Sequence, residues 1–145
     1  MIQERPSFFR IVWTDAAAFM SAIFAILFGA FIAYDFLRGN TPNQTTLLIF
    51  GGIILVALGI LVWRLTTIFN LFNDGQEATA TITDISFYRD RGRVAYIFMF
   101  QNEKYLNSNA VMKHGKSRML QVGEQKIVLV NRDNPKKSIL KDLYL

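Results

Sequence analysis

Two long stretches without a single charge constrain this chain more than any other feature. From Ala16 to Tyr34 there are 19 consecutive uncharged residues, and Ser21 is the only hydroxyl side chain before Tyr34. As a helix they extend about 28 Å at ~1.5 Å per residue, close to the ~30 Å hydrocarbon core of a bilayer. A second uncharged stretch runs from Gly39 to Trp63, with its apolar centre from Leu47 to Trp63. A surface helix would show a polar face every 3.6 residues. Neither stretch does, so both read as membrane spans, over about residues 16–36 and 46–66.

The flanks suit that reading. Thr14 and Asp15 are able to cap the first helix, and Arg38-Gly39 to end it. The linker Asn40-Thr41-Pro42-Asn43-Gln44 is too short for anything but an antiparallel return. Trp13 and Trp63 then fall at one membrane face, where indole rings favour the headgroup zone. The second helix is expected to run on past Arg64 through residues 65–72 as an interfacial extension, closing at Asn73-Asp74-Gly75. A cleaved signal peptide fits the first stretch less well, because its core exceeds the 7–15 residues of a signal h-region and no small-x-small site follows. Arg5, Arg10 and the amino terminus precede the first span, and Arg64 follows the second. The connecting loop carries only Arg38, with Asp35 close by. The positive-inside rule therefore places both termini in the cytoplasm.

Within the first span Ala18, Ala22, Ala25, Gly29 and Ala33 recur at spacings of three and four, and in the second Gly52 and Gly59 lie seven apart. Small residues on one face let helices approach closely in lipid. They serve either the hairpin's own packing or a docking face for another subunit's helix.

Charge divides the chain in two. Residues 1–74 hold four basic and four acidic residues, whereas residues 75–145 hold twelve and seven, so the whole net +5 lies in the second part. There the hydrophobic period changes to two. Ala78, Ala80 and Ile82 alternate with Thr79, Thr81 and Thr83, as in a half-buried strand. Arg89-Asp90-Arg91-Gly92-Arg93 reads as a turn with Gly92 available for positive φ, followed by strands over 94–100 and 105–111 joined at Gln101-Asn102-Glu103-Lys104. Further strands are expected over 126–130 and 138–143. The predicted fold is a two-helix transmembrane hairpin (residues 1–74) followed by a small basic antiparallel β-barrel or sandwich of four to five strands (residues 75–145).

Gly75-x-x-Ala78-x-Ala80-x-Ile82 opens the second part. Val122-Gly123-Glu124-x-x-Ile127-Val128-Leu129-Val130-Asn131-x-x-Asn134-Pro135-x-x-Ser138 closes it. This pattern resembles a widespread bacterial family known only as a domain of unknown function, which pairs two membrane helices with a β-rich tail. The family commonly has Tyr where this chain has Val130 and Pro where it has Arg132. The resemblance implies a bacterial inner-membrane architecture; it brings with it no activity, no catalytic residue and no cofactor.

The residues give little chemistry. Ala110-Val-Met-Lys-His-Gly115-Lys116-Ser117 fits a relaxed phosphate-loop pattern, but that loop needs a parallel strand before it and a long helix after it, and Gly123-Glu124 leaves no room. There is no cysteine, and His114 is the only histidine, so a zinc-type ligand set cannot be assembled; His114 reads as an exposed loop residue. Asp15 and Asp35 lie at span edges, where capping and snorkelling explain them. Three basic groups remain: Arg89, Arg91 and Arg93; Lys113, Lys116 and Arg118; and Lys136, Lys137 and Lys141. They read as solvated hairpin tips, or as contacts to anionic lipid headgroups at ~1 kcal/mol per basic group. Nucleic-acid binding would also need exposed stacking aromatics. Phe87, Tyr88 and Tyr96 are explained more simply as strand residues.

The expected function is a non-catalytic accessory or scaffold subunit of a larger membrane protein complex, with other membrane subunits as partners and no small-molecule substrate. The competing reading is a membrane-tethered module whose β domain binds a small ligand, a peptide, headgroups or nucleic acid.

Overall fold

The computed structural model describes residues 5–145; residues 1–4, and with them the amino terminus counted in the charge argument, lie outside the described residues. The chain opens with a short helix that the sequence did not announce, α1 (Phe8–Thr14). Ser7 starts it, its hydroxyl accepting the Arg10 amide at 3.2 Å. Ile11 and Thr14 are buried, whereas Phe8, Phe9 and Trp13 are exposed. Seven residues are too few for a period to stand out.

Helix α2 (Ala16–Leu37) follows and ends at Arg38. Gly39 takes φ 75°, letting its amide reach the Phe36 carbonyl at 3.0 Å and that of Asn40 reach Asp35 at 3.1 Å. Helix α3 (Gln44–Asp74) starts at Asn43, whose side chain accepts from the Thr46 amide at 2.7 Å. The two run antiparallel as a hairpin, with the Phe50 ring of α3 tilted against Phe28 and edge-on to Phe31 of α2. Mean hydropathy reaches 2.3 in α2 and 2.6 in α3, so both are long and apolar enough to cross a membrane. Helix α3 is the longer by nine residues (31 against 22). Its last turns therefore continue into the β domain, where Ile68, Leu71 and Phe72 join the core.

That core fills a five-stranded antiparallel sheet of order β3-β2-β1-β4-β5, formed by β1 (Gln76–Tyr88), β2 (Arg91–Phe100), β3 (Glu103–Met112), β4 (Gln125–Val130) and β5 (Ser138–Leu140). Short helices α4 (Gly115–Arg118) and α5 (Lys141–Tyr144) follow β3 and β5. β1 carries a register shift between Ile82 and Asp84; before it β1 pairs with both β2 and β4, after it with β2 alone. Such a bulge bends a strand and increases its twist, and here the sheet curls until its edges nearly meet. β3 and β5 share no backbone ladder. Instead Asn109 spans the gap, accepting the Leu140 amide at 2.9 Å and donating to the Ser138 carbonyl at 3.2 Å. Asn107 donates to Ser138 Oγ at 2.7 Å, and the buried Tyr96 hydroxyl donates to the Ser138 carbonyl at 3.0 Å. Inside lie Ala80, Ile82, Val94, Tyr96, Phe98 and Val128, all essentially inaccessible. Each fully buried Ile, Val or Phe of this kind contributes about 1.5–3 kcal/mol.

Two local expectations need correction. The first hairpin turns at Arg89-Asp90, with Arg89 and not Gly92 at positive φ (54°). Gly92 lies in β2 opposite Phe87, whose ring covers it so closely that a Cβ there would sit 2.3 Å from Phe87 Cδ1. Its role is close approach. The last strand stops at Leu140, after which the chain turns helical and buries Leu143 and Tyr144.

Candidate functional site

The polar centre of the molecule is where helices and sheet meet. Asp15 separates α1 from α2 in extended conformation (φ −84°, ψ 119°), serving as C-cap of one and N-cap of the other. Its backbone bridges to Val111 at the end of β3. Its carboxylate is wholly buried and fully engaged. Oδ1 accepts the Ala18 amide at 3.0 Å. Oδ2 accepts Arg64 Nη2 at 2.7 Å, Arg64 Nε at 2.9 Å and the Tyr144 hydroxyl at 3.1 Å. Its side chain thereby joins α2, α3 and α5, and its backbone amide ties in α1 through the Ile11 carbonyl at 2.9 Å. Burial, reinforced by the Asp15 charge, pushes the Tyr144 hydroxyl pKa far up, so it remains a donor. Reading Asp15 as a cap with a snorkelling carboxylate needs correction: the cap is present, but the carboxylate is turned inward to Arg64. No buried side-chain polar atom among the described residues lacks a partner.

Beside this junction, His114 is half-buried rather than exposed as expected. Its Nδ1 accepts the Ser117 amide at 3.4 Å, which leaves the proton on Nε2, donated to Thr14 Oγ1 at 3.1 Å. Thr14 passes the chain on to the Leu143 carbonyl at 3.4 Å. Burial, then the nearby Lys116 and Arg10 charges, hold its pKa below the usual imidazole value. The phosphate-loop pattern is therefore an antiparallel strand, a histidine-capped turn and a four-residue helix. Ser117 Oγ is buried and donates to the Met112 carbonyl at 2.9 Å. Nothing there cradles a phosphate with a long helix. Among the described residues no three His, Asp or Glu converge as a metal site.

On the helices, Ala18 is buried, Ala22, Ala25 and Gly29 are half-buried, and Ala33, Gly52 and Gly59 are exposed. A Cβ placed on Gly29, Gly52 or Gly59 would meet nothing within 4 Å. Phenylalanine rings fill the upper contact between α2 and α3. Lower down the helices leave an apolar groove of about 770 Å³, bordered by Ser21, Phe24, Gly52, Val56 and Ala57.

The basic residues Arg89, Arg91 and Arg93 and Lys113, Lys116 and Arg118 are all exposed. Strand register sets Arg91 against Met112 and Arg93 against Ala110, and the Lys113 amide bonds the Asp90 carbonyl at 2.7 Å. Two clusters separate in sequence thus share one end of the barrel, where Arg91 and Arg93 border a hollow with Ala17 and Met20 of α2. Of the aromatics weighed for base stacking, Tyr96 is core, Phe87 covers Gly92 and only Tyr88 is open. Compared with protein-family models, curated proteins and solved structures, the chain matches none.

Proposed function

We propose that this chain is a membrane-inserted, multi-pass, non-catalytic accessory subunit that docks through its helix hairpin into a larger membrane assembly and holds its β domain rigidly at the membrane surface. The observation that carries it is the hairpin's unfilled face. Only 11% of the apolar window in α2 and 6% of that in α3 is buried. A soluble core helix would be mostly buried, so this surface calls for lipid or another protein. The groove at Gly52 carries Ala17, Ser21, Gly52 and Ala57 among larger apolar residues, and small residues of this kind let a neighbouring helix approach closely. Trp13 and Trp63, both exposed, stand at the Asp15–Arg64 level, as residues of an interfacial belt do. Arg5, Arg10 and Arg64 at that end outnumber the lone Arg38 at the other, which favours a cytoplasmic β domain and termini, and the motif resemblance favours a bacterial inner membrane. The fixed junction at Asp15 favours a scaffold over a domain swinging on a tether. Purification from native membranes in a gentle detergent tests the reading: a complex heavier than the chain and its detergent supports it, and a solitary chain overturns it.

A further inference from the structure

On the outer side of α2, away from the Gly52 groove, lies a second groove of about 660 Å³. Its mouth is formed by Arg10, His114 and Lys116, and its walls by Trp13, Phe19, Ala22, Ile23 and Ile26. We propose that it binds one anionic phospholipid, with the phosphate at Arg10 and Lys116 and an acyl chain lying along α2. This rests on the membrane insertion proposed above and names a ligand for that same membrane-facing surface.

Three features on the chain's own surface select this occupant. The first is charge: among the described residues no carboxylate lines the groove, and neither Arg10 nor Lys116 forms an ion pair with a described acid. Arg10 and Lys116 line the groove together with His114, whose pKa is lowered by burial first and then by these two charges, so both cations stand at this end of the groove. The second is polarity along the groove. Ile26 is ten residues beyond Ala16, about 15 Å further along the helix, or roughly half the hydrocarbon thickness. A basic mouth at the interface and an apolar channel to mid-bilayer match the lipid of one leaflet. The third is the interfacial rim. Trp13 lies edge-on to Phe19 at 5.4 Å, at the depth where a headgroup meets its chains.

The chain contains two tryptophans, so Trp63→Phe leaves Trp13 as a reporter inside the groove and Trp13→Phe leaves Trp63 as a reporter of insertion. The full chain is reconstituted in phosphatidylcholine vesicles containing a minor fraction of phosphatidylglycerol, with bromine on the acyl chains of either lipid to quench nearby indoles. Trp13 should show roughly ten-fold preferential quenching by brominated phosphatidylglycerol over brominated phosphatidylcholine at equal mole fraction. Arg10→Gln with Lys116→Gln should abolish the preference, and both side chains are exposed, so the fold survives. Arg91→Gln with Arg93→Gln removes the same charge elsewhere and should leave it intact. Equal loss in both double variants would mean a diffuse field and overturn the site. Displacement of the lipid by inorganic phosphate at constant ionic strength would show a soluble-anion site and overturn it too. Trp13 shielded from both lipids while Trp63 is quenched would mean that protein fills the groove, which also overturns it. Silence of both tryptophans with both lipids would overturn insertion itself, and the lipid site with it.

Discussion

Asp15 and Arg64 lie 49 residues apart in sequence, yet Arg64 Nη2 stands 2.7 Å from an Asp15 carboxylate oxygen that is almost completely shielded from solvent. The pair locks the base of the hairpin to the barrel, because the same oxygen takes the Tyr144 hydroxyl from the last helix. Arg64→Met should cost about 3–5 kcal/mol by leaving a buried carboxylate without its counter-charge. Asp15→Asn combined with Arg64→Met should recover a large part of that, because no buried charge then remains. Chemical or thermal unfolding in detergent, followed by near-ultraviolet circular dichroism, measures both; equal losses in the single and double variants would refute the ion-pair account.

The barrel seam makes a second prediction. Asn109→Leu has similar volume but removes the acceptor for the Leu140 amide and the donor to the Ser138 carbonyl. The Ser138 carbonyl keeps the Tyr96 hydroxyl, but the Leu140 amide is left buried and unmatched, which should destabilise the β domain by about 1–3 kcal/mol. Hydrogen exchange should show β5 amides losing protection first, before those of β1 and β2. Unchanged β5 protection would mean that the asparagine does not close the seam.

His114 gives a pH dependence whose sign follows from burial. Its pKa is lowered in the folded chain from an ordinary value near 6.5. Between the lowered value and 6.5 the unfolded state binds more protons, so stability falls as pH drops below about 6.5 and is fully present above it. Protonation would also remove the Nδ1 acceptor used by the Ser117 amide. His114→Asn, which can still cap α4, should flatten this slope. A stability that rises on acidification through that window would contradict the assignment.

Orientation is read with single cysteines. Asn43 in the helix connection and Asp133 in the turn after β4 are both exposed, whereas Ser138 is buried in the seam and would stay silent for structural reasons. On intact cells an impermeant thiol reagent should label Asn43→Cys and spare Asp133→Cys. The reverse pattern would invert the orientation, and labelling of both would end the two-span arrangement.

How far the fold was legible differs between levels. Both long helices announced themselves, because apolar composition over twenty residues is a strong and local signal. The strands were visible through alternation, as in Ala78, Ala80 and Ile82. What stayed hidden depended on contacts distant in sequence. Helix α1 shows its purpose only once Ile11 is seen in the barrel core. Gly92 looked like a turn glycine because the partner that needs its bare Cα, Phe87, is defined only by strand register. The junction was half-legible. Asp15 opens one span and Arg64 closes the other, so an antiparallel hairpin already sets them at one depth. Tyr144 carried no such signal, since a tyrosine beside the carboxyl end has no pattern to betray it.

Whether the helices or the β domain carry assembly is decided by co-purification of two variants. Gly52→Leu places a bulky side chain where nothing lies within 4 Å, so the hairpin itself tolerates it while the groove is filled. Arg89→Glu, Arg91→Glu and Arg93→Glu together invert the exposed hairpin tip without touching the core. With both proteins purified from native membranes in gentle detergent, we predict that Gly52→Leu loses the associated subunits and the charge-reversed chain retains them. Retention by Gly52→Leu with loss by the charge-reversed chain would contradict it, and would make the β domain the binding element of a tethered module.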